Sequence, residues 1–277
     1  MSELISITSD ATRPIIEMIV FPILKALYYP DGTEDHKIVG TGFFLDSNGS
    51  FLSARHVFYN RNKLALNLGM TLDAGLTLDL GLALDIEDAE SIALYCIHSV
   101  NVNRKMVARR IDVSSIIPRR DTDIVVGFVE MKQFGKGDDS ITEAERRNTA
   151  HINYATNTDI SVGTEIWTVA YPLTKASRLE NGGFNVDFQS DMYRGRITKH
   201  YPEGRDRVML PGPCYETDME IKGGSSGGPV FISGSSGFVF GVNSTGMEPH
   251  CFSHVTSLAP LVSKARQETG SAPLRRG

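Results

Sequence analysis

The run Lys222-Gly223-Gly224-Ser225-Ser226-Gly227-Gly228-Pro229-Val230 sets two serines among four glycines. Glycine tolerates positive φ and close backbone approach, so successive amides there can converge on one small space. A hydroxyl beside such amides has both requirements of acyl-transfer chemistry, a nucleophile and donors for a developing oxyanion. Met219 and Ile221 before the run, and Val230-Phe231-Ile232 after it, put the serines at the edge of a buried sheet. The later cluster Ser233-Gly234-Ser235-Ser236-Gly237 reads instead as a flexible loop.

Activated serines come in more than one setting. Gly224-Ser225-Ser226-Gly227-Gly228 also fits the Gly-x-Ser-x-Gly pattern of a nucleophile elbow. In α/β-hydrolases an acid and then a histidine follow the serine. Here the 51 residues after Ser226 hold no Asp, only Glu248 and Glu268, although His250 and His254 do follow. That length is too short for the remaining strand–helix units, so the order argues against an elbow, and what lies upstream decides.

Two upstream segments qualify. Gly40-Thr41-Gly42-Phe43-Phe44-Leu45 and Ser50-Phe51-Leu52-Ser53-Ala54 read as strands joined by a tight turn at Asn48-Gly49. His56 follows the second strand, where Ser53 and Ala54 are small enough to let the chain turn. Further on, Asp121-Thr122-Asp123 runs directly into Ile124-Val125-Val126-Gly127-Phe128-Val129. A carboxylate at the mouth of a buried strand is costly without partners, which suits an acid that holds a histidine through Nδ1–H. Asp123 abuts the strand, whereas Asp121 reads as solvated.

The order His56, Asp123, Ser226 is that of the chymotrypsin-type triad. The chain resembles the trypsin-like serine peptidases, most closely their bacterial HtrA-like branch without a PDZ module. Ser53-Ala54-Arg55-His56-Val57 resembles the family's histidine motif, and Thr122-Asp123-Ile124-Val125-Val126 its aspartate strand. Thr217 to Ile221 leading into Gly224 to Pro229 resembles its serine motif. Val162-Gly163-Thr164-Glu165 with Ala170-Tyr171-Pro172 resembles the opening of the second barrel, and Phe240-Gly241-Val242-Asn243 the strand beside the specificity pocket.

The resemblance implies an all-β fold of two six-stranded antiparallel barrels with a short C-terminal helix. It implies a serine endopeptidase acting through an acyl-enzyme, with Ser226 as nucleophile, His56 as general base and Asp123 as its orienting acid. The amides of Gly224 and Ser226 would bind the oxyanion. Glu220 and Ile221 would contribute to the primary pocket, and Asn243, Ser244 and Thr245 would offer backbone to an extended peptide. An inward Glu220 favours Arg or Lys before the cut; an outward one leaves Met219 or Ile221 to shape the pocket. Period-two alternation allows both. The chain departs from the family at Arg55 beside the histidine and at Ser225 before the nucleophile. Ile38-Val39-Gly40 resembles an activation terminus, but only 18 residues separate Ile38 from His56, so Ile38-Val39 reads as strand. A catalytically silent binding module and a serine esterase are the alternative functions.

Composition sets limits. With 277 residues and 41% hydrophobic content, the chain suffices for two small barrels. A net charge of −5 gives no nucleic-acid signature. Met1-Ser2-Glu3-Leu4 carries no basic signal region, and Pro22 and Lys25 interrupt the run from Ile19 to Leu27, so no secretion signal or membrane span is expected. Cys96, Cys214 and Cys251 cannot all pair within one chain and read as reduced thiols in a cytoplasmic protein. No Cys/His spacing suggests a metal, and no cofactor is expected. The expected partners are a protein or peptide substrate and, for want of a sensor module in the sequence, a regulatory partner chain.

The positioning elements follow. Residues 1–18 read as an N-terminal extension, 19–131 as the first barrel, 132–158 as a connector, 159–262 as the second barrel and 263–277 as terminal helix and tail. Strands are expected from Ile19 to Tyr28, Ile38 to Leu45, Phe51 to Ala54, Ile92 to His98, Val107 to Ile117 and Ile124 to Met131. The second barrel would use Asp159 to Tyr171, Phe184 to Phe188, Tyr193 to Lys199, Tyr215 to Ile221, Pro229 to Ile232, Phe238 to Asn243 and Cys251 to Val255. Leu258 to Glu268 reads as a helix, and Thr142 with Glu145 as a capping box in the connector. Within an insertion at 66–90, a six-residue Leu/Asp repeat runs from Thr71 to Asp88 and reads as a loop packed on the barrel, the alternative being an arm that reaches a partner or the substrate cleft.

Overall fold

The computed structural model describes residues 4–5, 19–46, 49–58, 91–102, 105–119, 121–129, 160–172, 174–178, 184–187, 189–234, 238–246 and 252–261. The Leu/Asp repeat and the capping box lie outside them.

The first sheet contains β1 (Leu4–Ile5), β2 (Val20–Tyr28), β3 (Glu34–Phe44), β4 (Ser50–Ala54), β5 (Ser91–Val102), β6 (Lys105–Pro118) and β7 (Ile124–Val129). Its order is β1-β6-β5-β2-β3-β4-β7, and pairing of β6 with β7 closes six of these strands into a barrel, with β1 added outside β6. Eight of the nine residues of β2 are buried, Lys25 among them, so the strand is covered on both faces rather than alternating between core and solvent. Pro22 is tolerated because β5 pairs with β2 only from Ile23 onward, leaving β3 alone beside it. The interior is aromatic: Phe21 lies 4.5 Å from Phe44 and 5.6 Å from Phe51 between ring centroids. Gly127 is a glycine because the Phe51 ring occupies the space a Cβ would need.

The second barrel contains β8 (Glu165–Ala170), β11 (Asp191–Tyr201), β12 (Cys214–Thr217), β13 (Pro229–Ile232), β14 (Val239–Gly246) and β15 (Ser253–Ser257). It closes in the order β11-β12-β15-β14-β13-β8. Ile166, Ile197, Tyr215, Met219, Ile221, Val230, Phe240 and Val255 fill it. Outside it, Tyr171, Phe231, Val239, Val242 and Leu258 join the core cluster of the first barrel, and this shared apolar layer docks the two barrels.

Three expectations are corrected. The strand expected from Phe184 to Phe188 does not join the barrel: among the described residues β10 (Phe184–Asp187) pairs only with β9 (Lys175–Arg178), as a separate two-stranded sheet. The barrel has no opening for it, because β8 already pairs with β11 on one edge and β13 on the other. The strand expected from Asp159 begins only at Glu165, after a turn in which Gly163 takes φ of +89° and donates to Ile197 O at 2.8 Å. Finally, β3 starts earlier than expected, at Glu34, with Ile38 paired to Leu24 inside the ladder. Residues 259–261 are helical, and the rest of the expected terminal helix lies outside the described residues. Among the described residues no helix is long and apolar enough to cross a membrane, and no cluster of three or more His, Cys, Asp or Glu has metal-binding geometry.

Candidate active site

His56 and Asp123 are 67 residues apart in the chain, and strand pairing brings them together. β4 lies antiparallel to β7 with Ala54 opposite Ile124, so the end of one strand meets the start of the other. After Ala54 the chain turns through a short 3-10 segment, Arg55–Val57, that swings the imidazole out. Asp123 then holds the histidine at two points. Oδ1 accepts the His56 backbone N–H at 3.0 Å, and Oδ2 lies 2.8 Å from Nδ1. A third tie, Arg55 N–H to Asp123 O at 3.1 Å, locks the backbones together. The carboxylate is 1% exposed and the imidazole 26%, so the ring's outer edge faces the cleft while its anchor stays dry. The Arg55 side chain is directed elsewhere, donating to Arg119 O at 3.0 Å and Val208 O at 3.3 Å.

The glycine-framed loop comes from the other barrel. Ser225 is completely buried, whereas Ser226 is partly exposed, so geometry singles out Ser226 as the reachable hydroxyl. Its Oγ donates to Ser244 O at 3.1 Å, and among the described residues it has no hydrogen bond to His56. Gly227 takes φ of +92°, and a Cβ there would run into Thr41 O and Ser53 Oγ. Only glycine lets the first barrel approach the loop this closely.

A backbone account of the loop identifies what remains free. Thr41 Oγ1 donates to Gly224 O at 3.0 Å, Gly228 N to Ser225 O at 3.1 Å, and Thr41 N to Ser226 O at 2.8 Å. Ser225 N donates to Lys222 O at 3.1 Å and Gly227 N to Asn243 O at 2.7 Å. The amides of Gly224, itself at φ of +89°, and Ser226 have no acceptor among the described residues. Two N–H groups on either side of one buried serine are thus left without an acceptor among the described residues, and a developing oxyanion could claim them.

Glu220 is exposed, while Met219 and Ile221 on either side are withdrawn into the second-barrel core. The ambiguity of alternation is thereby resolved: the carboxylate is turned out of the barrel core. Asn243 is wholly buried beneath the loop. Its N–H donates to Gly228 O at 2.9 Å and its C=O accepts from Gly227, so both backbone groups serve the loop. Its side chain is oriented as well. Thr168 Oγ1 spends its proton on Pro229 O at 2.7 Å, so Asn243 must offer Nδ2 at 2.8 Å. Ser244 Oγ lies 2.5 Å from Thr256 Oγ1, and Thr245 Oγ1 lies 3.3 Å from Nδ1 of the buried His254. Sequence reasoning missed Thr41 and Ser53, which brace the loop from the first barrel. The one signal for them was polar residues at buried positions of otherwise apolar strands.

The family model described as "Trypsin-like peptidase domain" matches residues 40–242. No curated protein matches the chain. Among solved structures, the HtrA-type protease AlgW with a decapeptide is 13% identical with a TM-score of 0.52, covering 91% of this chain and 64% of that one. Deg5 is 17% identical with a TM-score of 0.50, covering 92% of both chains. Likenesses of this kind speak for the fold, and the family match speaks for the kind of protein. The chain belongs to the trypsin-like peptidase family and is a trypsin-like serine protease.

Proposed function

We propose that the protein is an endopeptidase in which His56, Asp123 and Ser226 act as a triad. The observation that carries this reading is the two-point grip of Asp123 on His56, at 3.0 and 2.8 Å, across from an accessible serine framed by glycines. His56 Nε2 takes the Ser226 proton as Oγ attacks the scissile carbonyl, and returns it to the leaving amine. The oxyanion forms against the Gly224 and Ser226 amides, a contribution of about 3 kcal/mol per donor. Water, activated by the same histidine, then hydrolyses the acyl-enzyme. Ser244 and Thr245 supply backbone to an extended peptide substrate, a role Asn243 fulfils only indirectly by bracing the loop.

The choice of side chain before the cut follows from the direction of Glu220. Its carboxylate is exposed and turned out of the barrel core while Met219 and Ile221 are packed within it, so the outward case applies: Met219 or Ile221 shapes the pocket, and small apolar residues are preferred over Arg or Lys. Faster cleavage after Arg than after Ala or Val, with that advantage lost in Glu220→Ala, refutes this preference.

The hydrogen bond from Ser226 to Ser244 O, with none to His56, favours a second reading, a silent protease-like binding module. A fluorophosphonate probe separates the two. The triad reading expects labelling that vanishes in Ser226→Ala; absence of labelling in the wild type refutes it.

A further inference from the structure

Thr41 stands in the first barrel, yet its polar atoms bind the nucleophile loop of the second. It is fully buried on β3. Its N–H donates to Ser226 O at 2.8 Å and its hydroxyl to Gly224 O at 3.0 Å, a contact across 183 residues of sequence. The two carbonyls that bracket Ser225 are thus both held by one residue. The hydroxyl proton has no choice of direction. Tyr171 N–H donates to the same Oγ1 at 3.2 Å, so the oxygen is already an acceptor there and its own proton goes to Gly224 O. Below it, Ser53 Oγ donates to Thr41 O at 2.7 Å and fixes the backbone from the other side.

We propose that Thr41 is the positioning residue of the oxyanion hole: its hydroxyl, aimed by the Tyr171 amide, fixes the Gly224 peptide so that the Gly224 and Ser226 N–H groups face the cleft. The reason this needs a dedicated group lies in the loop itself. A Cβ on Gly223 would meet nothing within 4 Å, and Gly224 sits at positive φ with Pro172 Cα 3.1 Å from where its Cβ would stand, so the Gly223–Gly224 peptide lies between two residues of wide φ/ψ range and has no side chain of its own to hold it. A rotation there withdraws the Gly224 N–H from the cleft. The Thr41 bond opposes it by pinning the adjoining carbonyl in a dry environment, where a hydrogen bond cannot be exchanged for one to water. Trans-barrel contact and oxyanion binding are therefore one event: the hole exists only while β3 is docked on the loop.

This inference rests on the triad reading, and the experiment separates their failures. Thr41→Val keeps the β-branched shape and removes the hydroxyl; Thr41→Ser keeps the hydroxyl. Steady-state kinetics on a fluorogenic peptide, titrated for active sites with a fluorophosphonate, should show kcat of Thr41→Val down by about 10- to 100-fold with KM little changed, somewhat less than deleting a donor outright. Affinity for a peptide aldehyde, whose hemiacetal with Ser226 places an oxyanion in the hole, should fall by the same factor, and Thr41→Ser should restore both. A residue with a merely structural role would not move aldehyde affinity in step with kcat. Hydrogen exchange of a peptide covering 222–228 provides a readout independent of activity: faster exchange in Thr41→Val and wild-type exchange in Thr41→Ser are expected. Wild-type kinetics and exchange in Thr41→Val overturn the inference. Wild type that neither labels nor cleaves overturns the triad reading instead, and loop exchange then decides the role of Thr41 by itself.

Discussion

Replacing Asp123 by Asn tests the site at its most constrained point. Asp123 offers two acceptors, one to the His56 backbone N–H at 3.0 Å and one to Nδ1 at 2.8 Å. Asn has one acceptor and one NH2 group, so one of those contacts must change. The backbone N–H is a permanent donor and claims the remaining oxygen. The NH2 group then faces Nδ1, which can only accept, and the ring proton moves to Nε2. That tautomer cannot take a proton from Ser226. The side chain is 1% exposed and isosteric with its replacement, so fold and substrate binding should survive. A histidine held in the wrong tautomer by this substitution costs about 10⁴-fold in kcat, or about 5.4 kcal/mol of transition-state stabilisation. The assay is kcat on a fluorogenic peptide for wild type and Asp123→Asn, with thermal melting monitored by circular dichroism as the control for folding. A loss below about 10-fold with an unchanged melt would refute the tautomer argument.

Other predictions concern packing and titration. Gly227→Ala forces a Cβ onto Thr41 O and Ser53 Oγ at φ of +92°, and should cost about 3 kcal/mol or more in urea unfolding; an unchanged midpoint would deny the close approach of the barrels. His254 is wholly buried, and burial first, then Arg205, push its pKa down to about 4 from 6.5, against the opposing pull of Glu216 and Asp206. Because the unfolded chain takes up this proton first, the neutral ring's contribution is complete above about pH 6.5 and declines as pH falls toward about 4, by at most about 3 kcal/mol. His254→Gln should flatten that part of the stability–pH curve, and an unaltered slope counts against the assignment. Burial also pushes the Cys214 thiol up to about 11. With Cys96 buried as well, both should resist an aromatic disulfide reagent near pH 8 until denaturant is added. Fast labelling of Cys214 in the native protein would contradict its burial.

Local chemistry was legible where residue type and immediate neighbours carry the signal. His56, Asp123 and Ser226 could be selected because small residues, a strand start and glycines surround them. Pairing was harder. Nothing in Phe184 to Asp187 reveals that its one strand partner among the described residues is Lys175–Arg178, since a short apolar alternation looks alike in a barrel and in a separate two-stranded sheet. The direction of Glu220 depended on which side of the chain Tyr215 and Val255 fill, a matter of long-range packing. In the sequence Thr41 reads only as part of a strand, because a hydroxyl serving a loop 183 residues away leaves no local trace.

That separation also bears on how the protein is made. His56 and Asp123 belong to one barrel and can pair as soon as β4 and β7 have met, well before Ser226 has been synthesised. A contact between Thr41 and Gly224 must await the second barrel, and contacts so distant in sequence form late because loop closure precedes any gain. On the triad reading, a nascent chain therefore carries a histidine–aspartate pair with no nucleophile, and then, until the barrels dock, a serine loop without its Thr41 tie. If the triad and the Thr41 tie act as proposed, proteolytic competence arrives only with the final docking step, after both barrels have folded.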